Sequence, residues 1–342
     1  MKSIVFFNNK GGVGKTTLAC NIASFLNDEM KKRVLLIDAD PQCNATQSLL
    51  SDDLCENIYL SSDNSYHTLF SFVKPLAEGE PKISLEGNPL IGSQNNYHTD
   101  IIPGHPSMSV IEDILSDAWS KTKSGDIGGI RVTNWCNYLL NNFSDRYDLV
   151  IFDVGPSLGA LNRSVLLSCD YVLTPLGCDI FSLLGINNIS SWIKNWDRQY
   201  VQGIKLMEDQ SADAFDKYRP IKDTSIKFRL IGYSVQQYVT RTFSEGRRPV
   251  KAYDEIMKKI PDTIIASLNH LIPKNIKTEH LELGHIPYLY SLIPMSQSSK
   301  SPIHLLESKD GLVGSQYKQV KEYAELLRSV CSRLSTNMEL DK

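Results

Sequence analysis

A glycine-rich loop lies between an apolar run and a helical pattern in residues 1–30. The apolar run is SIVFF (3–7), the loop is KGGVGKTT (10–17), and the helical pattern extends to about residue 30. A buried strand, a short loop and a helix in this order open a right-handed unit whose two strands run parallel. This order predicts an α/β fold with a parallel sheet.

Five further apolar runs have the length and the bounding turn residues of short buried strands. They span residues 33–40, 98–104, 147–155, 170–176 and 227–235. Helical patterns lie between several of them, and 342 residues are enough to bury a large core. We therefore predict a mostly parallel sheet flanked by helices on both faces, in a single α/β domain.

Three segments interrupt this alternation. Residues at about 51–97, rich in Ser, Asn, Asp and Gly, and residues at about 187–226 are interpreted as insertions in the one domain. Residues 242–285 look helical and partly basic. Near the C-terminus, apolar residues recur in steps of three and four, which predicts a helix packed on the sheet. This apolar stripe consists of Val313, Tyr317, Val320, Ala324, Leu327, Cys331 and Leu334.

The charge of the chain excludes a strongly basic surface overall. The formal net charge is -3, with +3 in residues 241–300 and -6 in residues 1–240. A polyanionic partner must therefore bind a local patch.

The cysteines and the hydropathy indicate a cellular compartment. Seven cysteines without a C-x-x-C pair predict buried, reduced thiols. There is no signal-peptide pattern and no uncharged apolar run long enough to cross a bilayer. We expect a cytoplasmic protein.

The loop KGGVGKTT has the composition of a phosphate-binding loop. It fits G-x-x-x-x-G-K-[ST] with a shift, because Asn9 occupies the first glycine position. Its glycines let backbone N–H groups point at phosphate oxygens, and the helix that follows adds its positive N-terminal end. Lys15 is expected to reach the β- and γ-phosphates, and the Thr16 hydroxyl to ligate magnesium. The predicted nucleotide contacts are Gly11, Gly12, Val13, Gly14, Lys15, Thr16 and Thr17.

Acidic residues end two of the predicted strands. Asp38 and Asp40 are alternate residues of the second strand, so both are expected to lean toward the phosphates. The alternative to a phosphate-facing role is an ordinary turn in which an aspartate caps the next helix. Asp153 ends the strand YDLVIFDVG and fits the role of holding magnesium. Gly155 and Pro156 then allow a loop that can move when the γ-phosphate leaves.

Four segments together carry a resemblance to a known family. They are KGGVGKTT, RVLLIDADPQCNAT (33–46), YDLVIFDVGPSLGALNRSVL (147–166) and GLVGSQYKQVKEYAELL (311–327). In this order they resemble the deviant phosphate loop and later motifs of the ParA/MinD family of P-loop ATPases, over about two-thirds of the chain. Gly155 stands where the family often has a proline. Lys10 lies too close to Met1 for an N-terminal DNA-reading domain, so we expect the shorter ParA-type branch.

The resemblance implies a role for each of several residues, with ATP and Mg²⁺ as cofactors. Lys10 is the signature lysine that crosses a dimer interface to the partner's phosphates. Asp40 positions and activates the attacking water, while Asp38 belongs to a switch that senses the γ-phosphate. The implied metal site consists of Thr16, Asp38 and Asp153. The implied adenine pocket includes Gln237 and Pro287.

The resemblance also implies what the ATPase controls. ParA-type dimers bind DNA without sequence preference, and a ParB-like partner stimulates hydrolysis to release them. We therefore expect an ATP-dependent homodimer on the nucleoid of a bacterium. Lysine and arginine side chains on its surface are the candidate DNA contacts, and each could equally belong to an ordinary solvated surface. The DNA-binding candidates are Arg241, Arg247, Arg248, Lys251, Lys318 and Lys321, with Lys258, Lys259 and Arg328 in addition.

Two other outputs compete with DNA binding. A MinD-like membrane switch is disfavoured, because the tail CSRLSTNMELDK ends acidic and lacks a basic, apolar anchoring face. An ATPase that regulates a partner protein, in a mobile-element or defence operon, is the second alternative, and the unusual segments at 51–97 and 187–226 keep it open. A cluster-holding reductase would need a paired-cysteine site, and the sequence has none.

Overall fold

Seven parallel strands form the central sheet. The computed structural model describes residues 1–61, 65–238, 240–243, 246–249 and 251–340, and it leaves out the side chains of residues 237–252. The strands are β1 (Lys2–Phe6), β2 (Val34–Asp38), β3 (Asp100–Ile102), β4 (Leu149–Asp153), β5 (Tyr171–Gly177), β6 (Arg229–Tyr238), β7 (Thr240–Phe243), β8 (Gly246–Pro249) and β9 (Glu282–Pro287). The sheet order is β3-β2-β4-β1-β5-β6-β9, and β7 and β8 form a separate antiparallel hairpin. The predicted parallel α/β sheet is confirmed.

Helices flank this sheet. They are α1 (Lys15–Asp28), α2 (Asn44–Leu49), α3 (Asp52–Tyr59), α4 (Leu69–Ala77), α5 (Met108–Lys123), α6 (Ile127–Thr133), α7 (Trp135–Asn142), α8 (Ala160–Ser168), α9 (Ile180–Gln210), α10 (Ala212–Tyr218), α11 (Lys251–Met257), α12 (Ile260–Leu268), α13 (Leu292–Ser299) and α14 (Gln316–Met338). Short 3₁₀ turns connect some of them.

The central strands are buried over their whole length. Every residue of β2 and β4 is buried, as expected for parallel strands covered by helices on both faces. Asp38 and Asp153 are register partners, and Phe6 of β1 lies beside Asp153 on the other side. The carboxyl ends of three neighbouring strands therefore meet at one edge, which is where open α/β sheets bind ligands.

The structure corrects two parts of the prediction. Among the described residues of 242–285, α11, α12 and two short 3₁₀ turns are helical, whereas the hairpin β7–β8 precedes them and β9 begins at Glu282. Polar residues at the edge of a sheet leave no apolar run, so these strands had no clear signal. Val313 precedes α14 and is 67% exposed, and Tyr317 is 43% exposed. The buried stripe of α14 includes Tyr323 and Val330 instead.

The interrupting segments are folded. Residues 51–97 contain α3 and α4, and most of residues 187–226 lies in α9 and α10. Their status as insertions stays a prediction.

The cysteines are free thiols in the structure. Six cysteines are buried and Cys55 is half-buried, and none of the seven forms a disulfide. Among the residues that the structure describes, no helix is both long and apolar enough to cross a bilayer.

Candidate nucleotide site

The phosphate loop connects β1 to α1 at the carboxyl edge of the sheet. Gly12 and Gly14 have φ of 73° and 79°, in the left-handed region where a side chain is strained, so glycine is required at both. Asn8 anchors the start of the loop, because its Nδ2 donates to the Pro175 carbonyl at 2.6 Å and its Oδ1 accepts from the Lys10 amide at 2.9 Å. These two hydrogen bonds fix the start of the loop against β5.

A cleft of about 720 Å³ opens above this loop. Pro156 and Asp40 stand opposite the glycines, and α2 and α13 supply further polar walls. The lining residues are Gly11, Gly12, Gly14, Lys15, Thr16, Thr17, Asp40, Gln42, Asn44, Gln47, Ser48, Pro156, Ile293, Gln297 and Lys300. The cleft is large and polar enough to hold a nucleoside triphosphate.

Lys15 is the buried cation of the cleft. Lys15 is the first residue of α1, and its Nζ donates to the Lys10 carbonyl at 3.3 Å. Burial lowers the pKa of Lys15, while the charges of Asp153 and Asp40 oppose this shift. A desolvated ammonium with few partners is suited to binding an anion that replaces its lost hydration.

Thr16 and Asp153 form a pair next to Lys15. The Thr16 hydroxyl donates to Asp153 Oδ2 at 2.7 Å. Asp153 Oδ1 is buried and has no hydrogen-bond partner among the described residues, and burial together with the charge of Asp38 raises the pKa of Asp153. A carboxylate and a hydroxyl are ligands that Mg²⁺ accepts, and an unpartnered buried oxygen is what a cation would satisfy. The two side chains therefore fit Mg²⁺.

Asp38 and Asp40 have different surroundings. Asp38 is fully buried, and its Oδ2 accepts from the Thr46 amide at 2.8 Å and from the Thr46 hydroxyl at 2.7 Å. Burial raises the pKa of Asp38, and these hydrogen bonds oppose the shift. Asp40 lines the cleft, and its Oδ1 accepts from the Gln42 amide at 3.0 Å. The structure therefore places Asp40 in the wall of the cleft and turns Asp38 toward α2.

Lys10 is held within its own chain by an acidic residue that sequence reasoning missed. Its Nζ lies 2.5 Å from Asp179 Oδ2, and Asp179 also caps α9 by accepting from the Phe181 and Ser182 amides. Burial opposes ionisation of Asp179, but the hydrogen bonds from Lys10 and Ser182 outweigh it and lower its pKa. An aspartate after a strand and before a helix was the available signal.

The other predicted residues have mixed outcomes. Pro287 lines a small apolar recess with Gly14, Thr17 and Tyr323, on the side of the loop away from Asp40. The side chain of Gln237 lies outside the described residues, as do those of Arg241, Arg247, Arg248 and Lys251.

Several DNA-binding candidates have acidic neighbours. Lys318 lies 3.7 Å from Glu322, Lys258 lies 2.6 Å from Asp254, and Arg328 lies 3.5 Å from Glu29. Lys321 is exposed beside a second cleft on α14, together with Lys309. Among the candidates on α14, Lys321 is therefore the one that shows no ion pair with another described residue.

Comparison with known proteins gives concordant matches. A family profile described as "AAA domain" matches residues 1–206. The virulence plasmid ParA family protein pGP5-D of Chlamydia psittaci is 31% identical over 257 residues, which cover 74% of this chain and 88% of that protein. The crystal structure of protein DIP2308 from Corynebacterium diphtheriae is 31% identical, with a TM-score of 0.76 over 100% of both chains. The ATP complex of Cyanothece McdA shares the fold, at a TM-score of 0.59, 15% identity, and 98% and 96% coverage.

Proposed function

The chain belongs to the ParA family of AAA-domain P-loop ATPases, and from this premise we propose that it is a switch driven by ATP binding and hydrolysis. In its ATP state the protein dimerises and binds DNA without sequence preference. Hydrolysis, stimulated by a ParB-like partner, releases it. The output is the partition of a plasmid or chromosome, or the positioning of another cargo on the nucleoid.

The observation that carries the proposal is the pair of lysines on one phosphate loop. Lys15 is 7% exposed and faces its own cleft, whereas the Lys10 side chain is 40% exposed. One lysine is enough to hold a phosphate in its own subunit, so the second, exposed lysine can serve the phosphates of a partner. A cation delivered in trans is a known way of making phosphoryl transfer depend on assembly.

The chemistry divides among the residues of the cleft. Thr16 and Asp153 would hold Mg²⁺, which when bound neutralises charge on the phosphate oxygens. The loop glycines present backbone N–H groups to these oxygens, and Asp40 orients the water. Hydrolysis would then release Asp38 and Thr46 from the conformation that the γ-phosphate maintains.

Removal of Asp179 should favour the dimer. Lys10 must leave Asp179 before it can reach a partner, so Asp179→Asn removes a competing ion pair and should tighten ATP-dependent dimerisation about threefold to tenfold. Sedimentation velocity with a non-hydrolysable ATP analogue measures this shift. Asp179→Asn keeps an oxygen to cap α9, and Asp148→Asn, which removes the exposed ion pair with Arg33, serves as the control. An unchanged dimer constant would contradict a competing role for Asp179.

DNA binding is the experiment that tests the proposed function. Wild-type protein is mixed with random-sequence duplex DNA and a non-hydrolysable ATP analogue, ADP or no nucleotide, across a salt series. Tight, salt-sensitive binding with the ATP analogue alone is the expected result. Lys321→Glu should weaken it several-fold and flatten the salt dependence, and Lys82→Glu, distant in sequence and also exposed, should not. Dimerisation without DNA binding would instead favour a partner protein as the output.

A further inference from the structure

We propose that Glu112 is a positioning residue for hydrolysis, because its carboxylate fixes the loop that connects Asp153 to α8. This loop, residues 154–159, is called the connecting loop below. The inference rests on the proposed ATPase activity, and it assigns a function to a side chain on α5, outside the cleft.

Both oxygens of Glu112 bind the start of α8. Oε1 accepts from the Ala160 amide, and Oε2 accepts from the Leu161 amide at 2.8 Å. The first amides of a helix have no partner within the helix, and its N-terminal end is positive, so a carboxylate there stabilises the helix start twice over. Glu112 thus joins α5 to the end of the connecting loop.

Gly159 makes this approach possible. Its φ of -77° and ψ of -178° are open to any residue, so its backbone does not require glycine. A Cβ at this position would lie 2.1 Å from Glu112 Oε1, which is far inside van der Waals contact. The turn itself would accept a methyl group here, but that methyl would displace the Glu112 carboxylate from its present position.

Asn162 holds the same loop from inside α8. Its Nδ2 donates to the Gly155 carbonyl at 2.8 Å and to the Ser157 carbonyl at 2.7 Å, and the residue is buried. The connecting loop and the first turn of α8 consequently form one hydrogen-bonded unit, and Glu112 determines where this unit sits.

The unit contacts the residues that perform the reaction. A Cβ at Gly155 would lie 3.1 Å from Asp40 Oδ1, and the Cβ position of Gly11 is 4.0 Å from Pro156 Cγ. A displacement of α8 by a fraction of an ångström would therefore move the wall that faces Asp40 and the phosphate loop. Misplacement of about 1 Å at a distance from the chemistry can cost on the order of a hundredfold in rate.

An arginine supports the negative charge of Glu112. The Arg163 guanidinium lies 4.5 Å from the Trp119 ring centre and 4.9 Å from that of Trp196, which connects α8 to α5 and α9. Its charge attracts Glu112 electrostatically. The carboxylate thus lies between a helix N-terminus and a cation.

Glu112→Gln tests the proposal, because the amide keeps the size but turns one acceptor into a donor facing an amide N–H. We expect kcat for ATP to fall about tenfold or more, with the dissociation constants of ATP and ADP within about twofold, since the phosphate loop is untouched. Hydrogen exchange at residues 154–165 should accelerate even without turnover. Asp113→Asn, at the exposed neighbouring position on α5, is the matched control and should change neither.

A double-mutant cycle with Gly159→Ala completes the test. Gly159→Ala alone should lower kcat as Glu112→Gln does. In the Glu112→Ala background the carboxylate is gone, so the methyl of Gly159→Ala meets free space and should lower kcat little further. Additive losses of kcat in the double variant Glu112→Ala, Gly159→Ala would overturn the positioning role. Wild-type kcat together with wild-type hydrogen exchange in Glu112→Gln would overturn it as well. If the wild type itself hydrolyses no ATP, alone or with DNA, the proposed function fails, and the exchange data still decide whether Glu112 holds the loop.

Discussion

Replacement of Lys15 by alanine is expected to weaken the binding of ATP and ADP by a hundredfold or more. The ammonium is buried beside Asp153 and Asp40, so its removal takes away the protein's own cation between these carboxylates and the phosphates. Loss of a charged hydrogen bond in such surroundings costs about 3 kcal/mol, which corresponds to a factor of more than a hundred in the dissociation constant. Isothermal titration calorimetry with each nucleotide and Mg²⁺ measures the effect.

Lys10→Ala is the matched comparison, since it removes a lysine from the same loop. Lys10 contacts Asp179 and not the interior of the cleft, so this variant should bind ATP as the wild type does but stay monomeric. Circular dichroism shows whether either variant is misfolded. Equal loss of nucleotide affinity in both variants, or a Lys10→Ala protein that dimerises normally, would contradict the division of roles between the two lysines.

Much of the sheet could be predicted because central parallel strands are apolar on both faces. β1, β2 and β4 appear in the sequence as continuous apolar runs; β1 leads into the phosphate loop, and β2 and β4 end at Asp38 and Asp153. The phosphate loop was equally clear, since positive φ at Gly12 and Gly14 can be met only by glycine without strain. These signals are local, so the sequence carries them without knowledge of the fold.

The remaining features depend on contacts between distant parts of the chain. The role of Asp38 at the metal stays a prediction, and its hydrogen bonds with Thr46, eight residues away, depend on where the turn before α2 places that residue. The same holds for Asp179 with Lys10, which are far apart in sequence. β9 was missed because only two of its six residues, Leu283 and Ile286, are buried, so it forms neither an apolar run nor a regular alternation.

Replacement of Asp40 by alanine should separate ATP binding from hydrolysis. On the proposed mechanism Asp40 orients the water, and general-base or positioning groups of this kind contribute about a hundredfold to ten-thousandfold in rate. Its loss also removes a negative charge from the cleft, so the affinity for ATP should be unchanged or somewhat higher. Single-turnover hydrolysis and ATP titration of the same protein measure the two quantities independently.

The ATP-bound dimer should persist in Asp40→Ala, because hydrolysis is the step that ends it. Light scattering after ATP addition should show a dimer that outlasts the wild-type one by the factor lost in hydrolysis. Asp40→Asn keeps an oxygen for the Gln42 amide and most of the side-chain volume, so it separates the loss of the carboxylate from collapse of the turn. Both variants should be equally slow if the charge matters. A slow Asp40→Ala with an active Asp40→Asn would show that Asp40 shapes the turn, and a monomeric Asp40→Ala in ATP and Mg²⁺ would refute the dimer switch.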